Sequence, residues 1–365
     1  MGLIKLNNEQ KLIQNEVRKF AIQEIEPLST DIEKNGKIPE EIFKKLAELG
    51  LLCPIIPAEL GGAGLDTTSL CIITEELARA CGSLGFVLAV NNGLVGFALI
   101  NYGKEKNKSY LNRLSNGELG GFDFETGIKE DIKILQNKPF KIAGTKRFIL
   151  NGEMANFVIL NIHTVNGEGL FILENPNEKI KVSKPYVLGM KSAGIADITF
   201  DNVEISEESC LVKSISSNQV MGEVNKYFHL CLSAIGLGIA EASLEASIKY
   251  SKERKQFNRT ICEFPMVREM LAEMKIRIEA TRNLVYDAAS RFDTSEEYGI
   301  ACDIALVTSA ETAVYCGIKS VQVFGGYGYT KDYPVERYLR DAKSVQSLSE
   351  SRITLNEKIA RVLIY

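Results

Sequence analysis

The 365-residue chain is 45% hydrophobic and 25% charged, with a formal net charge of −4. That balance excludes a basic nucleic-acid surface, and no polybasic block points to a membrane headgroup layer. Eight cysteines without a CxxC pair read as reduced thiols packed as small hydrophobes, and two histidines, His163 and His229, make a His-based metal site or a Ser-His-Asp hydrolase a poor expectation. The N-terminus runs straight into Leu6-Asn-Asn-Glu-Gln-Lys11 with no cationic-then-apolar leader, so a cytoplasmic protein is expected.

Residues 6–28 place Ile13, Val17, Phe20, Ala21 and Ile25 at helical spacing and predict a helix that ends before Pro27. A second helix is expected over 38–50, stopped by Gly50, then a glycine-rich loop over 56–66 and a helix over 69–80. The apolar runs near 83–101 and 230–240 are interrupted by Gly, Asn or Ser and read as buried helix, not membrane spans. From about residue 120 the period changes. Short β-rich runs at 140–142, 147–150, 157–162, 170–173 and 198–200 are separated by Asn-Gly and Gly-Glu-Gly turns. From about 217 the pattern is helical again, over 234–252, 266–292, 298–323 and 348–363, which suggests a bundle. The expected division is an N-terminal helical domain (1–119), a β-domain (120–213) and a C-terminal helical bundle (214–365), an α+β chain.

The stretch Gln322–Lys343 stands out. Its three glycines in four positions, Gly325, Gly326 and Gly328, let a backbone approach something flat or phosphorylated with no Cβ in the way. Singly, such glycines more often serve a turn between helices. As a whole string the segment closely resembles the C-terminal signature of the acyl-CoA dehydrogenase family. The loop at 56–66, the Glu75-Glu76-Leu77-Ala78 helix and Tyr110–Leu119 look similar to that family's N-terminal domain. The resemblance implies its three-part architecture: helical domain, middle β-domain and C-terminal four-helix bundle. It also implies FAD as cofactor, hydride transfer to flavin N5, and a homodimer or homotetramer in which Gln322, Gly325 and Gly326 meet a neighbouring subunit's FAD.

The same resemblance assigns further flavin contacts. Arg254, Gln256 and Phe257 match residues that meet the pyrophosphate and adenosine, an assignment consistent with Arg pairing a phosphate while a ring lies against a ligand. The next expected contact, a Phe-Gln pair, reads Phe264-Pro265, and proline has no side-chain amide. In the β-domain the family's Thr-Glu-Pro and Ala-Gly-Ser-Asp strings align with residues 122–131, so that Phe122, Phe124 and Glu125 fall at the flavin, with Phe124 in place of the Thr. Phe148 stands for the usual Trp on the ring, and Leu150 for a Thr near N5. Leu150 has no side-chain donor, so backbone N–H groups are expected to supply the ring's polar contacts.

The catalytic signature departs most. The family removes an α-proton with a Glu shortly after the Arg-Asp-Ala-Lys string. Ungapped counting from Arg340 puts Ser349 at that position and Glu350 one residue later, and the alternative base position on an earlier helix is Phe228. Three readings stay open: Glu350 as base after a local shift with Ser349 as an orienting group; a reaction that needs no α-proton abstraction; or a relative that has lost the chemistry. CoA-facing polar groups are also replaced, by Ala193, Ala196, Leu348 and Lys226. The expected activity is oxidation of a small acyl or aminoacyl thioester, on a carrier protein more than on free CoA. This is similar to the acyl-CoA dehydrogenase-like enzymes of polyketide and nonribosomal peptide pathways, with an electron-transfer flavoprotein as a possible electron acceptor. The alternatives are a flavin monooxygenase or oxidase on the same fold, or a silent structural relative. No metal is expected.

Overall fold

Asn7 starts the first helix by accepting the Gln10 N–H at 2.8 Å while the Gln10 side chain accepts the Asn7 N–H at 3.1 Å, a reciprocal cap. A computed structural model shows the architecture and describes residues 5–124, 131–137, 140–164, 167–175, 178–213, 217–294, 297–348 and 350–364. Helix α1 (Asn8–Phe20) continues through a π-helical turn, Ala21–Ile25, into a 3-10 turn, Glu26–Leu28, that contains Pro27. The proline therefore sits inside a helical turn, where its missing N–H costs nothing. Then come α2 (Ser29–Asn35), α3 (Glu40–Glu48), α4 (Thr67–Ala80), α5 (Gly82–Ala89), α6 (Phe97–Tyr102) and α7 (Lys108–Ser115). Helix α4 is capped by Asp66 and buried along its whole length.

The β-domain holds β1 (Gly120–Phe122), β2 (Asp131–Asn137), β3 (Phe140–Ile149), β4 (Phe157–Thr164), β5 (Gly167–Glu174), β6 (Ile180–Ser183), β7 (Ala196–Ile205) and β8 (Cys210–Lys213). They form two four-stranded sheets, ordered β1-β4-β5-β8 and β2-β3-β7-β6. Alternate residues such as Ile198 and Phe200 on one sheet and Val158, Leu160 and Ile162 on the other are buried in a shared core.

Helix α8 (Ser217–Glu253) opens the C-terminal part, followed by α9 (Pro265–Thr294), α10 (Tyr298–Phe324), α11 (Val335–Ser347) and α12 (Arg352–Ile364). Helix α8 begins at Ser217 rather than 234, and α11 is a helix of its own within the glycine-led segment. Glycines let α8 lie hard against its neighbours: a Cβ on Gly236 would stand 2.5 Å from Ser309 Oγ, and one on Gly238 2.3 Å from the Glu75 carbonyl oxygen. The same seam carries a buried polar network. Arg282 reaches Glu75 and Glu241, each at 2.9 Å, and the Tyr286 hydroxyl donates to Glu75 at 2.6 Å.

The β-domain docks on the helices through a shared apolar core that includes Phe122, Leu150, Phe157 and Ile159, and through the segment before β7. The Met190 N–H donates to Asp341 Oδ1 at 2.6 Å, and Ser192 Oγ donates to the Ile32 carbonyl at 2.7 Å. Three helical stretches are long and apolar enough to cross a membrane by length and composition, 82–102, 219–253 and 298–329. The first two are 94% buried inside the protein, as expected for core helices.

Candidate functional site

Arg254, Gln256 and Phe257 lie just past the end of α8 on a hairpin formed by β9 (Lys255–Gln256) and β10 (Arg259–Thr260). Its two central residues, Phe257 and Asn258, both take positive φ (52° and 63°), the geometry of a tight two-residue turn. Phe257 is consequently 87% exposed. Gln322 is in the last turn of α10, which ends at Gly325 with φ 59° and ψ −136°, a conformation that excludes a side chain. A Cβ at Gly325 or Gly326 would meet nothing within 4 Å, so this backbone lies open.

The two pieces adjoin. Tyr250 stacks on Phe324 with centroids 4.0 Å apart, and the Arg254 guanidinium carbon is 5.6 Å from the Tyr327 ring centroid. Beneath them Tyr250, Val323, Phe324 and Val335 share a small core. The structure thus gathers Arg254, Gln256, Phe257, Gln322, Gly325 and Gly326 on one exposed face: a cation, an amide-bearing strand, an aromatic and bare backbone. That donor set suits a phosphorylated, ring-bearing ligand.

The β-domain candidates form a different kind of place. Phe122 and Leu150 exchange both backbone hydrogen bonds, each 3.0 Å. The Leu150 N–H, expected from the sequence to be available to a flavin ring, is therefore engaged with the Phe122 carbonyl. Phe148 takes φ 57° at an irregularity in the β3–β7 pairing, and its N–H donates to Asp197 Oδ1 at 3.0 Å. Phe122, Leu150 and Phe124 are 0%, 2% and 7% exposed. The Phe124 ring centroid is 5.5 Å from that of Phe228, whose edge meets Phe86 at 6.2 Å. Protein atoms lie against these side chains on every side. Glu125 lies outside the described residues.

Phe228 and the end of α8 at Glu253 are 25 residues apart on one helix, about 38 Å at 1.5 Å per residue. That is longer than an extended flavin dinucleotide. Among the described residues no hydrogen bond, ion pair or ring contact joins the exposed face to the Phe122–Phe124–Leu150 cluster. Within a single chain the two sets lie too far apart to touch one flavin.

At the α11–α12 junction Ser349 lies outside the described residues. Glu350 is mostly buried; Oε1 is ion-paired with Lys358 of α12, and Oε2 is buried without a hydrogen-bond partner. Beside it, Lys226, Asp303, Lys358 and Arg361 line a cavity of ≈ 400 Å³. Asp303 bonds His229 Nδ1 at 2.9 Å through one oxygen and Lys226 through the other. Burial pushes the Asp303 carboxyl up, but the hydrogen bonds from His229 and Lys226 outweigh it and hold the group below its ordinary value. His229 is a fully buried, hydrogen-bonded core residue.

Some residues around the β-domain cluster escaped the sequence reading. Lys146 and Asp123 make a buried ion pair at 2.6 Å, and Asp123 Oδ2 also accepts the Asn161 N–H at 2.9 Å. Asp197 fixes the Phe148 backbone. Charged residues inside runs of β-alternation were the available signal, since an isolated buried charge requires a partner.

A helical–β–helical chain with an exposed face of cation and bare glycine backbone has the framework of a cofactor-binding enzyme. The comparisons with known proteins make this specific. Residues 7–118 match the family model "Acyl-CoA dehydrogenase, N-terminal domain" and residues 220–361 match "Acyl-CoA dehydrogenase, C-terminal domain". A short-chain specific acyl-CoA dehydrogenase of Clostridium acetobutylicum is 32% identical over 353 residues, 93% of each chain. An acyl-CoA dehydrogenase of Bacillus subtilis is 33% identical, covering 93% of this chain and 94% of its own. The solved butyryl-CoA dehydrogenase from Megasphaera elsdenii superposes with a TM-score of 0.93 at 27% identity, over the whole of both chains. The chain belongs to the acyl-CoA dehydrogenase family. It is an acyl-CoA dehydrogenase-type flavoenzyme, with FAD as cofactor and the family's three-part fold.

The residues present fit FAD unevenly. The exposed face has the cation and open glycine backbone that a pyrophosphate and adenosine require. Of the residues assigned to the ring end, Phe122, Phe124, Phe148 and Leu150 carry no polar side chain, and residues 125–130 lie outside the described residues. The N–H groups of Phe122, Phe148 and Leu150 are already bonded, and Phe122, Phe124 and Leu150 are packed shut.

Proposed function

We propose that this chain serves FAD-dependent oxidation of a small acyl or aminoacyl group held as a thioester, presented by a carrier protein in preference to free CoA. The exposed Arg254–Gly326 cradle is the observation that carries the flavin part of this reading. FAD, when bound, supplies two-electron oxidation. This chain's own residues hold its phosphate end and set the subunit boundary at which it lies.

Loss of polar handles supports the carrier. Ala193 and Ala196 are fully buried in place of the family's Ser and Arg, so neither position presents a side-chain donor to a nucleotide. On this reading the hydride leaves an alcohol- or amine-bearing carbon of the acyl group, whose O–H or N–H proton passes to solvent, so no α-proton base is needed; Ser349 takes the family position by ungapped counting and Glu350 is ion-paired with Lys358. A second reading has one observation in its favour: the buried, unpartnered Oε2 of Glu350 is a carboxylate oxygen with spare acceptor capacity. There Glu350 is the base and Ser349 orients it.

Anaerobic bleaching of the visible flavin band, with acyl-CoAs and carrier-bound acyl groups, tests both. Bleaching by the carrier-bound form that persists in Glu350→Gln supports the first reading. Bleaching lost in Glu350→Gln establishes the second. Bleaching by acyl-CoA alone removes the carrier.

A further inference from the structure

We infer that the large cavity where the three parts of the fold meet is a second ligand site, one that takes a nucleoside phosphate, and that its occupant tightens the seat of the β-domain on the helices. The cavity measures ≈ 1080 Å³. Its walls come from α2 and Arg79 of the N-terminal part, from the 184–191 segment of the β-domain, and from α8, residues 331–334 and α11 of the C-terminal part. No residue of the Arg254–Gly326 cradle lines it, so this is not the place of the flavin phosphates.

Charge is the first observation. Eight of the lining side chains are cationic and five are acidic, and the acids are nearly all taken. Arg79 pairs with Glu26 at 2.7 Å and Glu245 at 3.0 Å, and Arg340 with Glu33 at 2.8 Å and Glu336 at 2.7 Å. Asp332, the remaining acid, accepts the Thr330 hydroxyl at 3.2 Å. Lys34, Lys249, Lys331 and Arg337 make no ion pair among the described residues. Arg337 is half-buried, and neutral oxygens hold it: Nη1 donates to the Ser29 carbonyl at 3.1 Å and Nη2 to the Ser29 hydroxyl at 3.3 Å. Its side chain is thus fixed while its charge goes unanswered, which prepares a guanidinium to receive a phosphate. The surplus of cations around one concave space draws an anion to it.

The second observation is aromatic. Tyr186, Tyr333 and Tyr338 line the same cavity, and Tyr186 is 97% exposed. Tyrosine faces set among cations take a planar base by stacking, and the volume matches the upper range of small-molecule sites. A phosphorylated ring compound answers both features at once; a bare anion would leave the rings idle. Its binding would bridge α11 and the 184–191 segment. That segment carries Met190, whose N–H on Asp341 joins the β-domain to α11, so occupancy holds this joint closed.

Calorimetric titration of the FAD-loaded protein with ADP tests this. One ADP per chain is expected, with FAD retained and hydrogen exchange at the Met190 amide slowed. The double variant Lys249→Ala/Lys331→Ala removes two exposed side chains without partners in the fold, so its melting temperature should match wild type while ADP binds about tenfold more weakly or worse. Arg337→Lys keeps the charge, loses the fork and should also cost about tenfold. ADP that binds equally well to both variants, or that drives FAD into the filtrate, would overturn the inference. So would pyrophosphate binding as tightly as ADP, which removes the ring, or no binding at all. None of these outcomes bears on the FAD reading, which rests on the cradle.

Discussion

Asp341 offers a quantitative check on how the β-domain is held. Its carboxyl is buried on α11, and Oδ1 accepts the Met190 N–H at 2.6 Å. Burial pushes its pKa from 3.8 to about 6, against the opposing pull of that N–H and of Arg337. In the unfolded chain an Asp titrates near 3.9, so the native state holds this proton more tightly and is favoured when it is bound. The stabilisation is complete below about pH 4 and is lost as the pH climbs through 6, amounting to about 3 kcal/mol. Asp341→Asn keeps an oxygen acceptor for Met190 and removes the titration. Urea unfolding of both proteins at pH 4, 5, 6 and 7 should show their stability difference moving by about 3 kcal/mol in favour of the Asn form towards neutral pH. A difference that stays flat, or that grows towards acid, would refute the account of Asp341 as a group that prefers to be neutral in the fold.

Other substitutions probe separate links. Gly189→Ala would place a Cβ 2.3 Å from the Arg340 carbonyl oxygen; it should cost about 1–3 kcal/mol in thermal melts and speed hydrogen exchange at the Met190 amide. Phe124→Ala removes the ring that interlocks with Phe228 and should cost about 3–5 kcal/mol by urea denaturation. Tyr286→Phe strips a 2.6 Å donor from the buried Glu75 and should cost about 1–3 kcal/mol, with flavin content of the assembly unchanged. Glu350→Gln breaks a partly exposed pair with Lys358 and should shift stability by less than about 1 kcal/mol, so a change in bleaching would report on chemistry rather than folding.

Much of the architecture was legible because it is periodic. The change from a spacing of three to four residues to a spacing of two near residue 120, and the change back near 217, follow from which side chains must face a core, and the string from Gln322 to Lys343 specified the family. Pro27 was read as a stop because a sequence does not reveal that the helix tightens into a 3-10 turn around it. The helix at Val335–Ser347 was hidden among charges that pair with distant partners, as Arg340 does with Glu33. The ring end was half legible. Phe124, Leu150 and Phe228 could be seen to replace polar residues, but the interlocking of Phe124 with Phe228 is a contact between residues more than a hundred positions apart, which no local pattern encodes. Nor does spacing reveal that the Leu150 N–H, free on paper, faces the Phe122 carbonyl.

The glycine seam between α4, α8 and α10 has a mechanical consequence. With backbone atoms in contact at Gly236 and Gly238, and Arg282 bolted to Glu75 and Glu241 across the same seam, the two helical domains have no slack to slide or rotate against each other. The β-domain is seated on that frame twice over: by Phe122, Leu150, Phe157 and Ile159 in the core it shares with the helices, and by the Met190 N–H on Asp341. The second seat holds a group that titrates, so a single proton tunes one edge of the joint while its apolar centre stays put.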